Sequence, residues 1–383
     1  MSSNAHLASD LKQMQSLPLE AKIRLTQQRI KVWYESWVRF EIYDKATGKT
    51  RFVTYDSRKG EPPMKETEYI ESAVDGQVYV SFSGGKDSTV LKHIVDSMYD
   101  DVPSLFVNTG LEYPEIQKFA MSQKNVVTVR PEMRFDEVVK EYGYPLPSKE
   151  LARKIYYGKR GAEWAKKYID GTAEFNGQRS RYNISKRFVP LLEAPFEVSA
   201  YCCDVMKKKP SKDYQKRTGR KPLVGTLADE SEIRRQAWIR TGCNSFEGKS
   251  PQSKPLSFWT EQDILHYIKK YEVPYCSVYG DIQVKPWEEG TIEGQMNLID
   301  YLDCYEPEDL LETSGCDRTG CIFCMFGCHL EKEPNRFQRL KKTHPRQYQY
   351  CIGGGEMIDG KWQPSKEGLG LGKVLDYIGV KYD

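Results

Sequence analysis

The sequence predicts an α/β protein built on a parallel sheet, and three observations carry that expectation. Short apolar runs of strand length, Val78-Tyr79-Val80, Ser104-Leu105-Phe106-Val107 and Val126-Val127-Thr128-Val129, recur with room for a helix between them. The segment after the first run places Val90, Leu91 and Ile94 at helical spacing. Between that run and that helix stands a glycine-rich turn, Ser83-Gly84-Gly85-Lys86-Asp87-Ser88. Strands alternating with helices in this way imply parallel pairing and right-handed crossovers.

The elements follow in order. Residues 18–37 read as an amphipathic helix, with Ile23, Ile30, Trp33, Tyr34 and Trp37 near helical spacing. Alternating Val38, Phe40 and Ile42, then Phe52 and Val53, flank the turn-forming Lys45-Ala46-Thr47-Gly48 and predict a hairpin. Residues 1–75 therefore form a helix-and-hairpin appendage. The main domain, residues 76–280, opens at Gln77 with the first buried strand. Asn108-Thr109-Gly110 and a helix near Glu115 follow the second strand; Pro222-Leu223-Val224-Gly225-Thr226 reads as a later strand and turn. Thr260 caps a helix reaching Tyr271. From about Asp281 an acidic, Gly- and Pro-bearing segment leads into a cysteine-rich C-terminal region, residues 281–383.

Hydrophobic residues make up 39% of the 383 and charged residues 29%, and no apolar run approaches the roughly 20 residues of a membrane span, so no membrane partner is expected. The first residues lack a basic patch followed by an apolar stretch, which places the protein in the cytoplasm as an expectation. Ten cysteines in such a compartment call for metal or redox chemistry rather than disulfides. Cys243, Cys276, Cys304 and Cys351 stand alone and read as small buried hydrophobes. The net charge of +3 is uneven. Arg153 to Arg187 holds ten Lys or Arg against three acids, interleaved with Tyr156, Tyr157, Trp164, Tyr168 and Tyr182; Lys207 to Lys221 holds eight against one.

The turn at Ser83–Ser88 has the makings of a phosphate cradle. Two glycines let the backbone approach an anion, and successive N–H groups at a helix N-terminus supply partial positive charge. Lys86 adds a full charge, Ser83 and Ser88 offer hydroxyls, and Asp87 can cap the helix or orient a Mg²⁺ ion bridging phosphates. GxxxxGK[ST] is not met, because Val80 stands where its first glycine belongs.

The segment Ser81-Phe82-Ser83-Gly84-Gly85-Lys86-Asp87-Ser88 resembles the PP-loop of the adenine nucleotide alpha-hydrolase superfamily, in particular its iron-sulfur phosphoadenosine phosphosulfate (PAPS) reductase branch. Leu105 to Gly110 with Tyr113-Pro114-Glu115, Gly225-Thr226 through Glu230-Ser231 to Arg234, and Pro255-Leu256 with Trp259-Thr260 and Asp263 are similar to further segments of that branch, in the same order. The resemblance implies that Ser83, Gly84, Gly85, Lys86, Asp87 and Ser88 hold phosphates, that Thr109, Gly110 and Glu230 line the nucleotide site, and that Lys86, Asp87 and Arg234 carry the chemistry. ATP, or PAPS or adenylylsulfate (APS), is the implied substrate.

Cys321-Ile322-Phe323-Cys324 is a CxxC, and Cys316 and Cys328 extend it to C-x4-C-x2-C-x3-C, enough thiolates for a local zinc or iron-sulfur site. Cys202-Cys203, followed by Met206-Lys207-Lys208-Lys209-Pro210, resembles the CC segment of iron-sulfur APS reductases, in which the pair joins a distant CxxC around one 4Fe-4S cluster. That resemblance implies Cys202, Cys203, Cys321 and Cys324 as ligands, with Cys328 and then Cys316 as substitutes; zinc and plain buried thiols are the alternatives.

Reductases of the family carry a nucleophilic cysteine in a C-terminal ECGLH segment, which Asp376 to Asp383 does not contain; Gly327-Cys328-His329-Leu330 is a loose echo. The intact loop resembles that of superfamily members that cleave ATP to AMP and pyrophosphate, and the likeness to iron-sulfur sulfurtransferases among them implies, as the expected function, iron-sulfur-assisted sulfur transfer to an acceptor activated in this way. A sulfur donor protein and a nucleic-acid acceptor are the partners such chemistry admits, the latter on the basic, aromatic stretch from Arg153. A sulfite-forming PAPS or APS reductase is the alternative, and a non-enzymatic nucleotide or redox sensor a second.

Overall fold

The structure is a computed structural model and describes residues 6–248, 250–285 and 309–383. The chain forms two compact units. The first comprises residues up to 106, 113–128 and 214–319; the second comprises 107–112, 129–213 and 320–383.

In the first unit the helix Leu19–Ser36 (α1) runs into the strand Trp37–Asp44 (β1), which pairs antiparallel with Lys49–Asp56 (β2) and with Glu68–Val74 (β3). The predicted hairpin is thus the larger part of a three-stranded sheet in the order β2-β1-β3. Its inner face is small: Val38, Phe40 and Ile42, backed by Val53, Tyr55 and Ile70.

The main sheet begins at Val78–Phe82 (β4). The phosphate loop and the helix Lys86–Asp96 (α2) follow, then Ser104–Val107 (β5), the helix Pro114–Ser122 (α3) and Val126–Val129 (β6). Further along come Lys221–Val224 (β7), the helix Glu232–Thr241 (α4), two short strands, Asn244–Ser245 (β8) and Gln252–Ser253 (β9), and the helix Glu261–Lys270 (α5). The strand order is β8-β9-β7-β4-β5-β6, with β4 parallel to both β5 and β7, and β9 parallel to β7. A central strand buried on both faces needs an apolar run rather than alternation, and Val78, Tyr79, Val80 and Phe82 supply it. Val78, Val80 and Phe82 pack in one core with Val90, Leu91 and Ile94 of α2, Leu223 of β7 and Ile264 of α5.

Helix α1 shares this core. Ile23, Ile30 and Trp33 of α1 are buried in the same cluster, and Trp259 Nε1 donates to Thr26 Oγ1 at 2.9 Å. Lys22, buried on α1, meets the Asp263 carboxylate at 2.7 Å. Asp263 also completes the cap of α5, accepting the Thr260 N–H at 2.6 Å.

The second unit contains helices at Phe135–Tyr142, Lys149–Lys159 and Glu163–Ile169, and after residue 320 at Arg336–Thr343, Pro345–Ile352 and Leu371–Asp376. Its distant segments are tied by side-chain to backbone bonds. Tyr144 Oη donates to Leu369 O at 2.8 Å, and the Arg187 guanidinium donates to Ile378 O at 2.6 Å. Among the described residues no helix is long and apolar enough to cross a membrane.

Candidate nucleotide site and thiol cavity

The loop after β4 turns sharply because Gly84 adopts φ +74°, a left-handed conformation that side chains resist, and because a Cβ there would lie 3.0 Å from Ile116 Cγ2. Gly225, just after β7, comes so close that a Cβ would stand 3.0 Å from Asp87 O and 3.1 Å from Ser88 Cα. Two segments that the sequence linked only by resemblance are therefore packed backbone to backbone.

Around them lies a cavity of ≈ 360 Å³ lined by Ser83, Gly85, Lys86, Asp87, Ser88, Gly225, Thr226, Glu230, Arg234, Tyr279, Asp317, Arg318 and Thr319. Ser83 Oγ and Ser88 Oγ stand 3.0 Å apart, and Ser88 Oγ accepts the Ser83 N–H at 3.2 Å. The Gly85 N–H reaches Ser83 Oγ at 3.3 Å, and the Lys86 N–H reaches Tyr279 Oη at 3.2 Å. These amide bonds are long, so an anionic oxygen can compete with them on favourable terms. α2 begins at Gly85 without a side-chain cap; Asp87 does not serve as one.

Four of the charged side chains of the cavity, Lys86, Glu230, Arg234 and Arg318, are paired. Lys86 Nζ donates to a Glu261 carboxylate oxygen, from the first turn of α5, and to Asp317 O. Glu230 accepts the Leu227 N–H at 3.0 Å with one oxygen and faces two guanidiniums with the other, that of Arg234 on α4 and that of Arg318 at 3.4 Å. Burial pushes the Asp87 carboxyl up against the pull of Lys86 and Arg318, and its Oδ1 is buried without a hydrogen-bond partner. Burial, then the neighbouring charge of Arg318, draws the Arg234 guanidinium below its ordinary value. Tyr279 is pushed up to about 12, chiefly by burial, and so stays a neutral phenol.

Thr109 and Gly110 belong to the second unit. There Thr109 gives its hydroxyl to the Glu112 carboxylate at 2.8 Å, and the Gly110 N–H meets Asn108 Oδ1 at 3.2 Å. Sequence reasoning missed Glu261, Tyr279 and Asp317–Thr319, which come to the loop through tertiary contacts alone; only the Thr cap just before Glu261 offered a signal.

Cys202, Cys203, Cys321 and Cys324 line one cavity, within the second unit, together with Leu111, Phe135, Pro145, Met206, Lys207 and Phe323. The Ile322 N–H donates to Leu111 O at 2.8 Å and pins the CxxC. The Cys202 and Cys203 sulfurs stand 3.9 Å apart. That contact, aided by burial, holds Cys202 protonated; the same contact draws Cys203 down to about 6 against burial, with help from Lys149 and Lys207. Burial opposes the charge on Lys207, but Cys321 and Glu112 outweigh it.

Four soft thiol donors in an apolar pocket beside an ammonium group are the donor set an iron-sulfur cluster takes. Among the described residues, however, no three His, Cys, Asp or Glu side chains converge on a point suited to a metal ion. At ≈ 20 Å³ the space between the thiols holds little more than a water, so they would have to draw apart to accept a cluster.

Cys316 lies in the first unit, where its N–H bonds Val278 O at 3.0 Å. Cys328 is buried, and burial pushes its thiol up to about 12, which opposes a nucleophilic role. Cys243, Cys276 and Cys351 are buried, and Cys304 lies outside the described residues. In the basic, aromatic stretch many groups serve each other: the Arg160 guanidinium covers Tyr156 at 3.6 Å, Lys154 holds Glu150 at 2.7 Å, and Tyr157 packs on Trp164 at 5.7 Å.

A parallel sheet whose central strand opens into a glycine-lysine loop, walled by paired cations and carboxylates, defines a nucleotide-binding α/β protein. The chain belongs to the phosphoadenosine phosphosulfate reductase domain family, whose model matches residues 77–326. An uncharacterized protein of Methanocaldococcus jannaschii is 29% identical over 107 residues, a stretch that spans 26% of this chain and 26% of that relative. The crystal structure of a PAPS reductase from Candida auris, a phosphate complex, is similar over 52% of this chain and 75% of its own, with 15% identity and a TM-score of 0.30.

Proposed function

We propose that the protein binds ATP at the Ser83–Ser88 loop, cleaves it to AMP and pyrophosphate, and uses the activated acceptor for sulfur transfer. The observation that supports this most is the cavity itself, where Lys86, Arg234 and Arg318 surround an intact glycine-rich loop. An acceptor oxygen attacks the α-phosphorus, the bond to the bridging oxygen breaks, and pyrophosphate leaves with the electron pair. Hydrosulfide from a sulfur donor then displaces AMP from the acceptor and leaves a carbon–sulfur bond. Lys86 and the loop amides stabilise the charge that builds on the leaving pyrophosphate. Asp87, with a buried oxygen that has no hydrogen-bond partner, is the side chain suited to a Mg²⁺ ion on the phosphates.

Cys202, Cys203, Cys321 and Cys324 would hold the 4Fe-4S cluster. Bound there, a cluster supplies electron transfer or electrostatic attraction for an anionic substrate or sulfur species. Nucleic acid as the acceptor has in its favour only the half-exposed Trp164 and Tyr182 within a basic stretch.

Anaerobically purified protein incubated with ATP and Mg²⁺, with water taking the place of the acceptor oxygen, should release AMP and pyrophosphate in equal amounts, and Lys86→Ala should abolish the release. Sulfite formed from PAPS or APS with a thiol donor, and no AMP from ATP, would replace this reading with the reductase. Tight nucleotide binding without turnover of any of the three would leave a sensor.

A further inference from the structure

Three consecutive residues, Asp317, Arg318 and Thr319, each engage a different group of the phosphate cavity, and all of these contacts lie within the first unit. Asp317 O receives Lys86 Nζ. Thr319 Oγ1 stands 2.6 Å from Tyr279 Oη, the atom that accepts the N–H of Lys86 at the start of α2. Arg318 reaches the Glu230 carboxylate at 3.4 Å, beyond a good charged hydrogen bond, and its side chain keeps 54% of its exposure.

Glu230 is the crux. One of its oxygens is occupied by the Leu227 N–H, and the other is shared between Arg234, which is close, and Arg318, which is not. Burial, and after it the like charge of Arg318, draws Arg234 below its ordinary value. Two arginines on one carboxylate oxygen, at the wall of a cavity that already holds a glycine-lysine loop, form a geometry that a further anion relieves.

We infer that Arg318 is a substrate-anion ligand of this site, leaving its loose contact with Glu230 to bind a phosphoryl oxygen, while Thr319 positions Lys86 through Tyr279. The inference rests on the nucleotide reading above and names a residue outside the loop and outside the α4 segment. A planar guanidinium suits a phosphate, which it can grip through two parallel N–H donors. Because Arg318 stands three residues before Cys321, the segment that carries the CxxC also supplies a phosphate contact.

The test is calorimetric titration of the full chain with ATP·Mg²⁺ and, separately, with inorganic pyrophosphate. Arg318→Ala should weaken both by about ten- to hundredfold, the size of a charged hydrogen bond. Arg318→Lys, which keeps the charge and loses the fork, should fall between. Arg235→Ala, which removes an exposed cation paired with Glu232 and outside the cavity lining, should bind as the unaltered protein does. Melting curves of all variants should coincide, and Arg318→Lys reports on the site even if Arg318→Ala folds poorly. If Arg318→Ala and Arg318→Lys bind normally while Lys86→Ala does not, the inference is overturned and the loop stands. If Lys86→Ala also binds normally, the nucleotide reading itself has failed.

Discussion

Lys86 shows what single residues contribute to this site. Its ammonium is buried and shared between a carboxylate and a carbonyl, so a phosphate must displace partners rather than fill an empty place. The Glu261 side chain is 47% exposed, and an ion pair so open to water is worth about 1 kcal/mol or less. Glu261→Gln removes the competing charge and keeps the side chain's shape. Pyrophosphate should then bind about two- to fivefold more tightly, read by titration at fixed ionic strength. Weaker binding in this variant would mean that Glu261 supports the anion site instead of competing with it.

Elements place these residues, and the ones easiest to read were those whose burial follows a simple period. β4, β5 and β6 are contiguous apolar runs, α1 has a clear helical stripe, and Thr260 caps α5 as its sequence context implies. β3 was missed because its seven residues, Glu68–Val74, are mostly exposed and show no alternation. β8 and β9 are two residues long and exist only through their partners. The phosphate loop was legible for the opposite reason: its chemistry is contiguous. Tyr279, Glu261 and Arg318 reach it from more than 170 residues away, a distance that no local pattern encodes.

Two consequences belong to elements. The buried Lys22–Asp263 pair docks α1 against the capped end of α5, two residues from Glu261. Lys22→Ala leaves the Asp263 carboxylate in place without its cation and should cost about 3 kcal/mol in denaturant unfolding; a cost below about 1 kcal/mol would show that the cap alone holds Asp263. In the three-stranded sheet, Glu68 of β3 binds Arg51 of β2 across β1 through two hydrogen bonds, of 2.9 and 2.7 Å. Those bonds, then the Lys65 N–H, lower its carboxyl from 4.5 to about 2. A lowered value means that its stabilisation is fully present above about 4.5 and fades as pH falls toward about 2. Unfolding curves of Glu68→Gln and the unaltered protein should therefore converge over that acid interval, and a constant gap down to pH 2 would contradict the assignment.

At the scale of the whole molecule the chain passes between its two units at five points, so neither is a continuous stretch of sequence. The second unit is assembled from three segments, and its thiols come from two of them: Cys202 and Cys203 from 129–213, Cys321 and Cys324 from 320–383. A cluster held by these residues would join points more than a hundred residues apart in sequence. Closing a loop of that length removes freedom from the unfolded chain worth about 5 kcal/mol, and metal binding free energy adds directly to folding free energy where the unfolded chain forms no site. The cluster-loaded protein should therefore melt roughly 10 °C above the same protein after chelation under anaerobic conditions. Cys321→Ser with Cys324→Ser should erase that difference together with the bound iron, while Lys86→Ala should preserve both. Cys316→Ser decides the ligand set, because Cys316 lies in the first unit: iron content and melting should be unchanged, and loss of iron in this variant equal to that of the double variant would return the local four-cysteine motif as the binding site.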